Sequence, residues 1–158
     1  MITAGIDMGA KNIKVVILKD GSTLAQTMVM TGREKEKLAQ QALDEALNKA
    51  KLSRSDIEHI AATGVGRKRV PFADNEITEV GADARGAAKL FPSARTVIDV
   101  GAEEGRGIRC TPEGKVIDFA INEKCAAGSG SFTETMARAI EVSLEEFAKI
   151  SLEATKSI

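Results

Sequence analysis

The chain has 158 residues, of which 43% are hydrophobic and 28% are charged, and its formal net charge is -1. A chain of this length can form an ordinary domain with its own core. Its 22 basic and 23 acidic residues nearly cancel, so charge gives no case for binding nucleic acid or an anionic membrane. Trp and Tyr are absent, which argues against base stacking on an aromatic platform.

The chain carries no sign of membrane insertion or export. No apolar run approaches the ~20 residues of a spanning helix, and the N-terminus lacks a basic segment followed by an apolar one. Cys110 and Cys125 are too few for a disulfide framework, so we expect a reducing, cytoplasmic location.

Apolar runs predict an antiparallel three-strand meander at the start of the chain, over residues 2–6, 13–18 and 23–30. The second turn is expected at Asp20-Gly21, a pair that supplies positive φ. A helix is then predicted over residues 34–51, where apolar residues recur at helical spacing. Ser53 resembles the N-cap of a short turn.

Strands and helices also mix in the rest of the chain. A strand over residues 57–63 leads into GVGR, and a helix over 81–90 is closed by Pro92. Further strands are predicted over residues 96–100, 107–110 and 116–121, with a hairpin signal at 111–114. The end is helical from Ser131, and Ser143 begins a capping box for a last helix. Together these elements predict one mixed α/β domain.

Two short motifs repeat each other. Residues 5–9 read GIDMG and residues 97–101 read VIDVG, and in each an apolar strand runs into Asp, an apolar residue and Gly. A glycine at such a turn lets the backbone approach a charged ligand, turn amides can hold phosphate oxygens, and Lys11 adds a positive charge. Asp7 could hold Mg²⁺ through water.

Each motif also has a plainer interpretation. Asp7 and its glycine can be only a hairpin turn, although the second copy at Asp99 favours two phosphate-facing turns across one cleft. Glu103 or Glu104 could orient a water or a metal, but adjacent surface acids are usually only solvated. No P-loop or dinucleotide fingerprint occurs.

The segment NEKCAAGSGSF places Cys125 before a glycine-rich turn and a predicted helix. Free amides at a helix N-terminus favour anions and lower the pKa of a nearby thiol, which would make Cys125 a good metal ligand. A buried, inert cysteine is the alternative. One thiolate cannot hold a four-iron cluster, so partners from another chain or from residues absent here would be needed. Cys110, on a strand, is expected to be structural.

Four segments in order resemble one family over essentially the whole chain: GIDMGAKNIKVVILKDG, ATGVGRKRV, TVIDVGAEEGRGIRC and DFAINEKCAAGSGSFTETMARAIEV. They are similar to the ATPase family of benzoyl-CoA reductase ATP-binding subunits and 2-hydroxyacyl-CoA dehydratase activators. That family lies within the acetate kinase, sugar kinase, Hsc70 and actin superfamily. The resemblance implies a ribonuclease H-like fold and a single lobe over residues 1–158, the N-terminal part of a longer two-lobed subunit.

The resemblance also implies roles for individual residues. Asp7, Asp99 and Glu103 would be catalytic, with Asp7 also holding Mg²⁺ through water. Cys125 would be one of two cysteines that each subunit gives to a [4Fe-4S] cluster shared between two subunits. The residues implied to bind the nucleotide lie in three loops: Gly9, Ala10, Lys11, Asn12, Gly101, Ala102, Gly128, Ser129 and Gly130.

The implied function is ATP hydrolysis that drives a low-potential electron from the shared cluster to an acyl-CoA reductase or dehydratase. The implied partners are an identical or homologous ATPase subunit, the acyl-CoA enzyme and a ferredoxin-type electron donor. The segment ADARGAAKLFPSARTVIDVGAEEGR resembles the benzoyl-CoA reductase branch more than the activators, which usually have Gly-Gln where Ala102 and Glu103 stand. That departure leaves the water-positioning role of Glu103 open.

The family's second cluster cysteine and its adenosine-binding glycines are expected beyond Ile158, so this chain alone is expected to bind nucleotide poorly.

Other functions found in the same superfamily remain possible interpretations of the sequence. A sugar or acyl kinase would use a carboxylate base and needs no cysteine in the glycine loop. An actin-like scaffold would form filaments with nucleotide and contain no iron.

Overall fold

The computed structural model of the protein describes residues 1–122 and 129–156. Cys125 and Gly128 therefore lie outside the described residues. The chain divides into two units, Met1–Gly86 and Ala87–Ile158, which are described separately below. The single lobe expected over residues 1–158 stays a prediction.

The first unit is built on a five-stranded mixed sheet with the strand order β3-β2-β1-β4-β5. Strands β1, β2 and β3 pair antiparallel, whereas β4 runs parallel to β1 and β5 parallel to β4. This confirms the predicted mixed sheet with an antiparallel start. The strands are β1 (Ile2–Met8), β2 (Asn12–Lys19), β3 (Ser22–Met30), β4 (His59–Thr63) and the two-residue β5 (Asn75–Glu76).

Helix α1 (Lys35–Ala50) covers one face of this sheet, as its spacing predicts. Its apolar positions recur every three or four residues, so they form one stripe that meets the inward-facing residues of β1 and β2. The helix ends at Lys51, which has a φ of 56° and donates its amide to the carbonyls of Asn48 and Leu47. The buried residues of this core include Ile6, Met8, Ile13, Val15, Ile17, Ala39, Ala42, Leu43, Ala46, Leu47 and Ile60.

The shorter elements of this unit also follow local signals. Ser53 caps a 3₁₀ turn over Arg54–Asp56, and its backbone amide donates to Asp56 Oδ2 at 2.7 Å. The Asp20-Gly21 turn has positive φ at both residues, as predicted. Helix α2 (Glu79–Leu90) begins two residues earlier than its pattern indicates.

The second unit contains a three-stranded antiparallel sheet with the strand order β6-β7-β8. Its strands are β6 (Thr96–Val100), β7 (Gly105–Cys110) and β8 (Val116–Asn122). Helices α3 (Gly130–Ala139) and α4 (Leu144–Leu152) follow, and Ser143 caps α4 by accepting the Glu146 amide at 3.1 Å. None of the helices in the described parts of the chain is long and apolar enough to cross a membrane.

Candidate functional site

Asp7 lies near the end of β1, on the sheet face away from α1, because the neighbouring residues Ile6 and Met8 point into the core. The antiparallel register places it directly opposite Lys14 of β2, and Lys14 Nζ lies 2.9 Å from Asp7 Oδ2. The Asp7 side chain is 34% exposed. A carboxylate in this position has a nearby counter-charge and remains open to a ligand.

The turn after β1 requires a glycine. Gly9 donates its amide to the Asn12 carbonyl at 3.0 Å, and a Cβ at Gly9 would lie 2.6 Å from that oxygen. Thr31, just after β3, holds the same loop through its hydroxyl to the Gly9 carbonyl and its amide to the Lys11 carbonyl, both at 2.9 Å. The amide of Gly9 thus serves the turn, although we expected the turn amides to hold phosphate. Ala10 is half-buried and Lys11 is exposed.

Asp99 occupies the matching position in the second unit. It lies opposite Arg106 in the β6–β7 register, and Arg106 Nη1 is 2.6 Å from Asp99 Oδ2. Arg106 is only 7% exposed and reaches Glu104 Oε2 with Nη2 at 2.9 Å. The guanidinium therefore bridges two carboxylates, whereas the Lys14 ammonium contacts one.

The two Asp-x-Gly turns have the same construction. In each, the glycine amide donates to the carbonyl three residues later, at 3.0 Å for Gly9 and 2.8 Å for Gly101. In each, the Asp pairs with a basic side chain seven residues later across the hairpin. The sequence similarity between residues 5–9 and 97–101 is therefore matched by a similarity in the structure of the two turns.

The second turn is bonded to the start of α3. The amide of Gly130 donates to the Gly101 carbonyl at 2.8 Å, and that of Ser131 to the Ala102 carbonyl at 3.2 Å. Ser129 is buried and caps the helix, accepting the Phe132 amide at 3.4 Å. The expectation that the first helix amides are free is thus wrong for Gly130 and Ser131, because the neighbouring loop satisfies them.

Glu103, Cys110 and His59 have simpler surroundings. Glu103 is exposed at the tip of the second turn, and Cys110 of β7 is 1% exposed, as expected of a structural thiol. His59 is half exposed, and its Nε2 lies 2.8 Å from Asn75 Oδ1. Among residues 1–122 and 129–156, no three His, Cys, Asp or Glu side chains are grouped so that they could hold a metal. The roles given to Cys125 and Gly128 fall outside those residues.

A neighbour of Asp7 that we did not predict comes from the turn after β4. Strands β1 and β4 are parallel and pair Asp7 with Thr63, so Gly64 continues beside the end of β1. A Cβ at Gly64 would lie 2.5 Å from Asp7 Oδ1, and Gly66 donates its amide to the Met8 carbonyl at 2.9 Å. The GVGR segment signalled a turn, but only the parallel pairing places it against Asp7.

A pocket of about 640 Å³ opens on the same face of the first unit's sheet. Asp7, Lys14 and Thr63 line it together with apolar residues such as Val16 and Ile77. Charged and apolar groups thus share one concave surface, which is the usual composition of a small-molecule site.

Residues 4–158 match the sequence profile of the BadF/BadG/BcrA/BcrD ATPase family. The chain belongs to this family. The activator of lactoyl-CoA dehydratase from Anaerotignum propionicum is 41% identical over 155 residues, which cover 98% of this chain and 60% of that protein. A benzoyl-CoA reductase subunit from Thauera aromatica is 35% identical over 158 residues, covering 97% of this chain and 56% of that protein.

Two solved structures are similar to the whole of this chain. The (R)-2-hydroxyglutaryl-CoA dehydratase component A from Acidaminococcus fermentans has a TM-score of 0.88 and 33% identity, and the match covers 100% of this chain and 61% of that chain. The activator of 2-hydroxyisocaproyl-CoA dehydratase from Clostridium difficile, solved with bound ADPNP, has a TM-score of 0.86 and 34% identity, with 100% and 59% covered. The fold is therefore the predicted mixed α/β fold of actin-like ATPases.

The family predicted from the sequence motifs is thus confirmed. The chain spans about 60% of the length of the relatives named above. Identity is higher to the lactoyl-CoA dehydratase activator than to the benzoyl-CoA reductase protein, 41% against 35%. These values do not favour the benzoyl-CoA reductase branch that the sequence motifs suggested.

Proposed function

We propose that this chain contributes the phosphate-binding turns of an ATP-hydrolysing activator that serves an acyl-CoA dehydratase or reductase. The observation that carries the proposal is the pair of equivalent Asp-x-Gly turns, each with a partly exposed carboxylate at a strand end. Membership of an ATPase family supports it, as does a relative solved with the nucleotide analogue ADPNP.

The side chains at the two turns fit magnesium and phosphate. Asp7 and Asp99 each present a carboxylate that is 34% exposed, and carboxylate oxygens suit Mg²⁺, which keeps several of its waters in proteins. Gly9 and Gly64 keep side-chain atoms away from the first turn. Magnesium, when bound with ATP, would neutralise charge on the transferred phosphate. Gly9, Ala10, Lys11 and Asn12 in the first turn, and Gly101 and Ala102 in the second, are the proposed phosphate contacts. Glu103 is proposed to orient a water or the metal.

Coupling to electron transfer is the second part of the proposal. Cys125 is proposed as a ligand of a [4Fe-4S] cluster shared with an identical or homologous partner, because a cluster of this kind normally takes four thiolates. The hydrogen bonds from Gly130 and Ser131 join α3 to the second turn. Since α3 follows the Cys125 segment in the chain, a rearrangement of that turn on ATP hydrolysis would reach the cysteine through the helix.

The substrate and partners belong to the same proposal. Relatives named as dehydratase activators and as part of a reductase support an acyl-CoA enzyme as the electron acceptor. A ferredoxin-type donor and a cytoplasmic location are further parts of the proposal, the second because two cysteines are too few for a disulfide framework. The 41% identity to a dehydratase activator favours a 2-hydroxyacyl-CoA dehydratase over benzoyl-CoA reductase.

ATP hydrolysis by the natural protein that carries this chain tests the proposal. Asp7→Ala and Asp99→Ala should each lower the turnover rate by about a hundredfold or more, the usual cost of losing a group that stabilises transition-state charge. Asp44→Ala, on the exposed side of α1, removes a carboxylate that belongs to neither turn and is the matched control. Wild-type turnover in both turn variants would refute the proposed role of the two turns.

The cluster has its own test. Anaerobic reconstitution with iron and sulfide should give a brown, air-sensitive protein, and Cys125→Ser should abolish the colour while Cys110→Ser keeps it. A protein that hydrolyses ATP, binds no iron and phosphorylates a small hydroxyl substrate would instead be a kinase.

A further inference from the structure

We propose that residues 64–66, here called the Gly64 turn, together with Arg67 form a positioning element that fixes the carboxylate of Asp7 for magnesium and phosphate binding. The inference rests on the proposed function, because it assigns a role to residues beside the first phosphate turn. Neither the Gly64 turn nor Arg67 belongs to the residues proposed above to contact the nucleotide.

The first step of the argument is the surroundings of the Asp7 carboxylate. Its Oδ2 is bound by Lys14 Nζ at 2.9 Å, and its Oδ1 lies over Gly64, where a Cβ would be only 2.5 Å away. The carboxylate is therefore held between an ammonium group on one strand and bare backbone on the other. Movement of either neighbour changes where a metal would find the carboxylate oxygens.

The second step is that the Gly64 turn packs closely against Met8 at both of its glycines and requires glycine at position 64. Gly64 has a φ of +90°, and a Cβ there would also lie 2.5 Å from the Met8 carbonyl oxygen. A Cβ at Gly66 would lie 2.3 Å from Met8 Cγ and 3.1 Å from the Met8 carbonyl oxygen. The contact of a Gly64 Cβ with the Met8 backbone is not relieved by rotating a side chain, so a larger residue at position 64 must displace the end of β1 or the turn itself. At position 66 the Met8 side chain would have to move.

The third step is that Arg67 holds the turn in place. Its Nη1 donates to the Gly64 carbonyl at 3.1 Å, and its guanidinium lies 3.8 Å from Glu76 Oε2 and 3.9 Å from Glu79 Oε2. Arg67 is 27% exposed, so its charge is partly withdrawn from water. The guanidinium thus donates one hydrogen bond to the turn while its charge faces two carboxylates, an arrangement that its rigid planar shape maintains better than a flexible lysine ammonium would.

Two variants and one control test this arrangement. Gly64→Ala introduces the clashing Cβ. Arg67→Lys keeps the positive charge but loses the planar guanidinium with its several N–H donors. Gly86→Ala is the matched control, because a Cβ at Gly86 meets no atom within 4 Å. The readouts are the ¹³C resonance of the Asp7 side-chain carboxyl in this chain and the affinity for Mg·ADP of the natural protein that carries it.

We expect Gly64→Ala to shift the Asp7 carboxyl resonance and to weaken Mg·ADP binding at least tenfold. Arg67→Lys should shift the same resonance and weaken binding several-fold without unfolding the protein. Gly86→Ala should change neither quantity. If Gly64→Ala does not fold, Arg67→Lys carries the test alone.

The outcomes separate the inference from the proposed function. If Asp7→Ala abolishes Mg·ADP binding while folded Gly64→Ala and Arg67→Lys bind as the wild type does, the positioning role is wrong and the phosphate site stands. If Asp7→Ala leaves Mg·ADP binding unchanged, the proposed site fails. In that case the inference, which rests on that site, is overturned with it, whether or not the Asp7 resonance shifts in Gly64→Ala and Arg67→Lys.

Discussion

The two Asp-x-Gly turns should differ sharply in how much their basic partner stabilises the fold. Arg106 is 7% exposed and makes two charge-assisted hydrogen bonds, at 2.6 Å to Asp99 and 2.9 Å to Glu104. Lys14 is 56% exposed and makes one contact, at 2.9 Å to Asp7. The backbone turns are alike, so the side-chain environment alone sets the difference.

The expected magnitudes follow from these contacts. A hydrogen bond to a charged group contributes about 1.5–3 kcal/mol to stability, and the lower value suits carboxylates that water still reaches. Arg106→Gln removes two such bonds, so it should lower the free energy of unfolding by about 3 kcal/mol. It also leaves Asp99 and Glu104 without the cation between them. An exposed ion pair contributes about 0–1 kcal/mol, so Lys14→Gln should cost less than about 1 kcal/mol.

Urea unfolding measures both effects if each unit has its own probe. The methyl signal of Ile108 reports on the second unit and that of Ile17 on the first, since both side chains are fully buried. Arg106→Gln should lower the midpoint at Ile108 and leave its slope unchanged. A loss below about 1 kcal/mol for Arg106→Gln, or equal losses for both variants, would refute the argument from burial.

Three further predictions concern the first unit. Leu43→Ala, at a fully buried position of α1, should cost about 2–5 kcal/mol in urea unfolding, and a loss under about 1 kcal/mol would contradict the packing described. Thr63→Val should be neutral or stabilising in the same assay, because Thr63 Oγ1 is buried and no described atom pairs with it. Hydrogen bonds from the Ser53 side chain and backbone lower the pKa of Asp56. Asp56 therefore stabilises the fold above its unfolded-state pKa, and this stabilisation is lost as pH falls through the lowered folded pKa. In melting temperatures measured over a series of pH values, Asp56→Asn should lose less stability than the wild type does as the pH is lowered.

Much of the fold could be predicted from the sequence because the signals are local. Each signal needs only a few neighbouring positions. Examples are the alternating residues of β1, β2 and β3, the apolar stripe of α1 and the positive-φ pair Asp20-Gly21. Strand β5 was not predicted, since two residues carry no periodicity. The start of α2 was misplaced by two residues, as is common at helix ends.

The candidate site was predictable only in part, because its neighbours come from distant segments. The Asp-x-Gly echo identified Asp7 and Asp99, but nothing local to GVGR indicates that Gly64 lies against Asp7. That contact depends on β4 pairing parallel to β1, with Thr63 opposite Asp7. The engagement of the Gly130 and Ser131 amides likewise depends on the second turn lying beside α3.

The shared construction of the two turns explains why one tolerates lysine where the other has arginine. A turn closed by the glycine amide brings the residue seven positions after the Asp directly across the hairpin, so any basic side chain there can reach the carboxylate. The backbone therefore sets the position of the carboxylate, and the basic residue sets how firmly it is held. Arg106, buried and bound to two acids, fixes the second turn, which also carries the start of α3. Lys14, exposed and bound to one acid, holds its carboxylate less firmly, so Asp7 depends more on the bare backbone of Gly64 for its position.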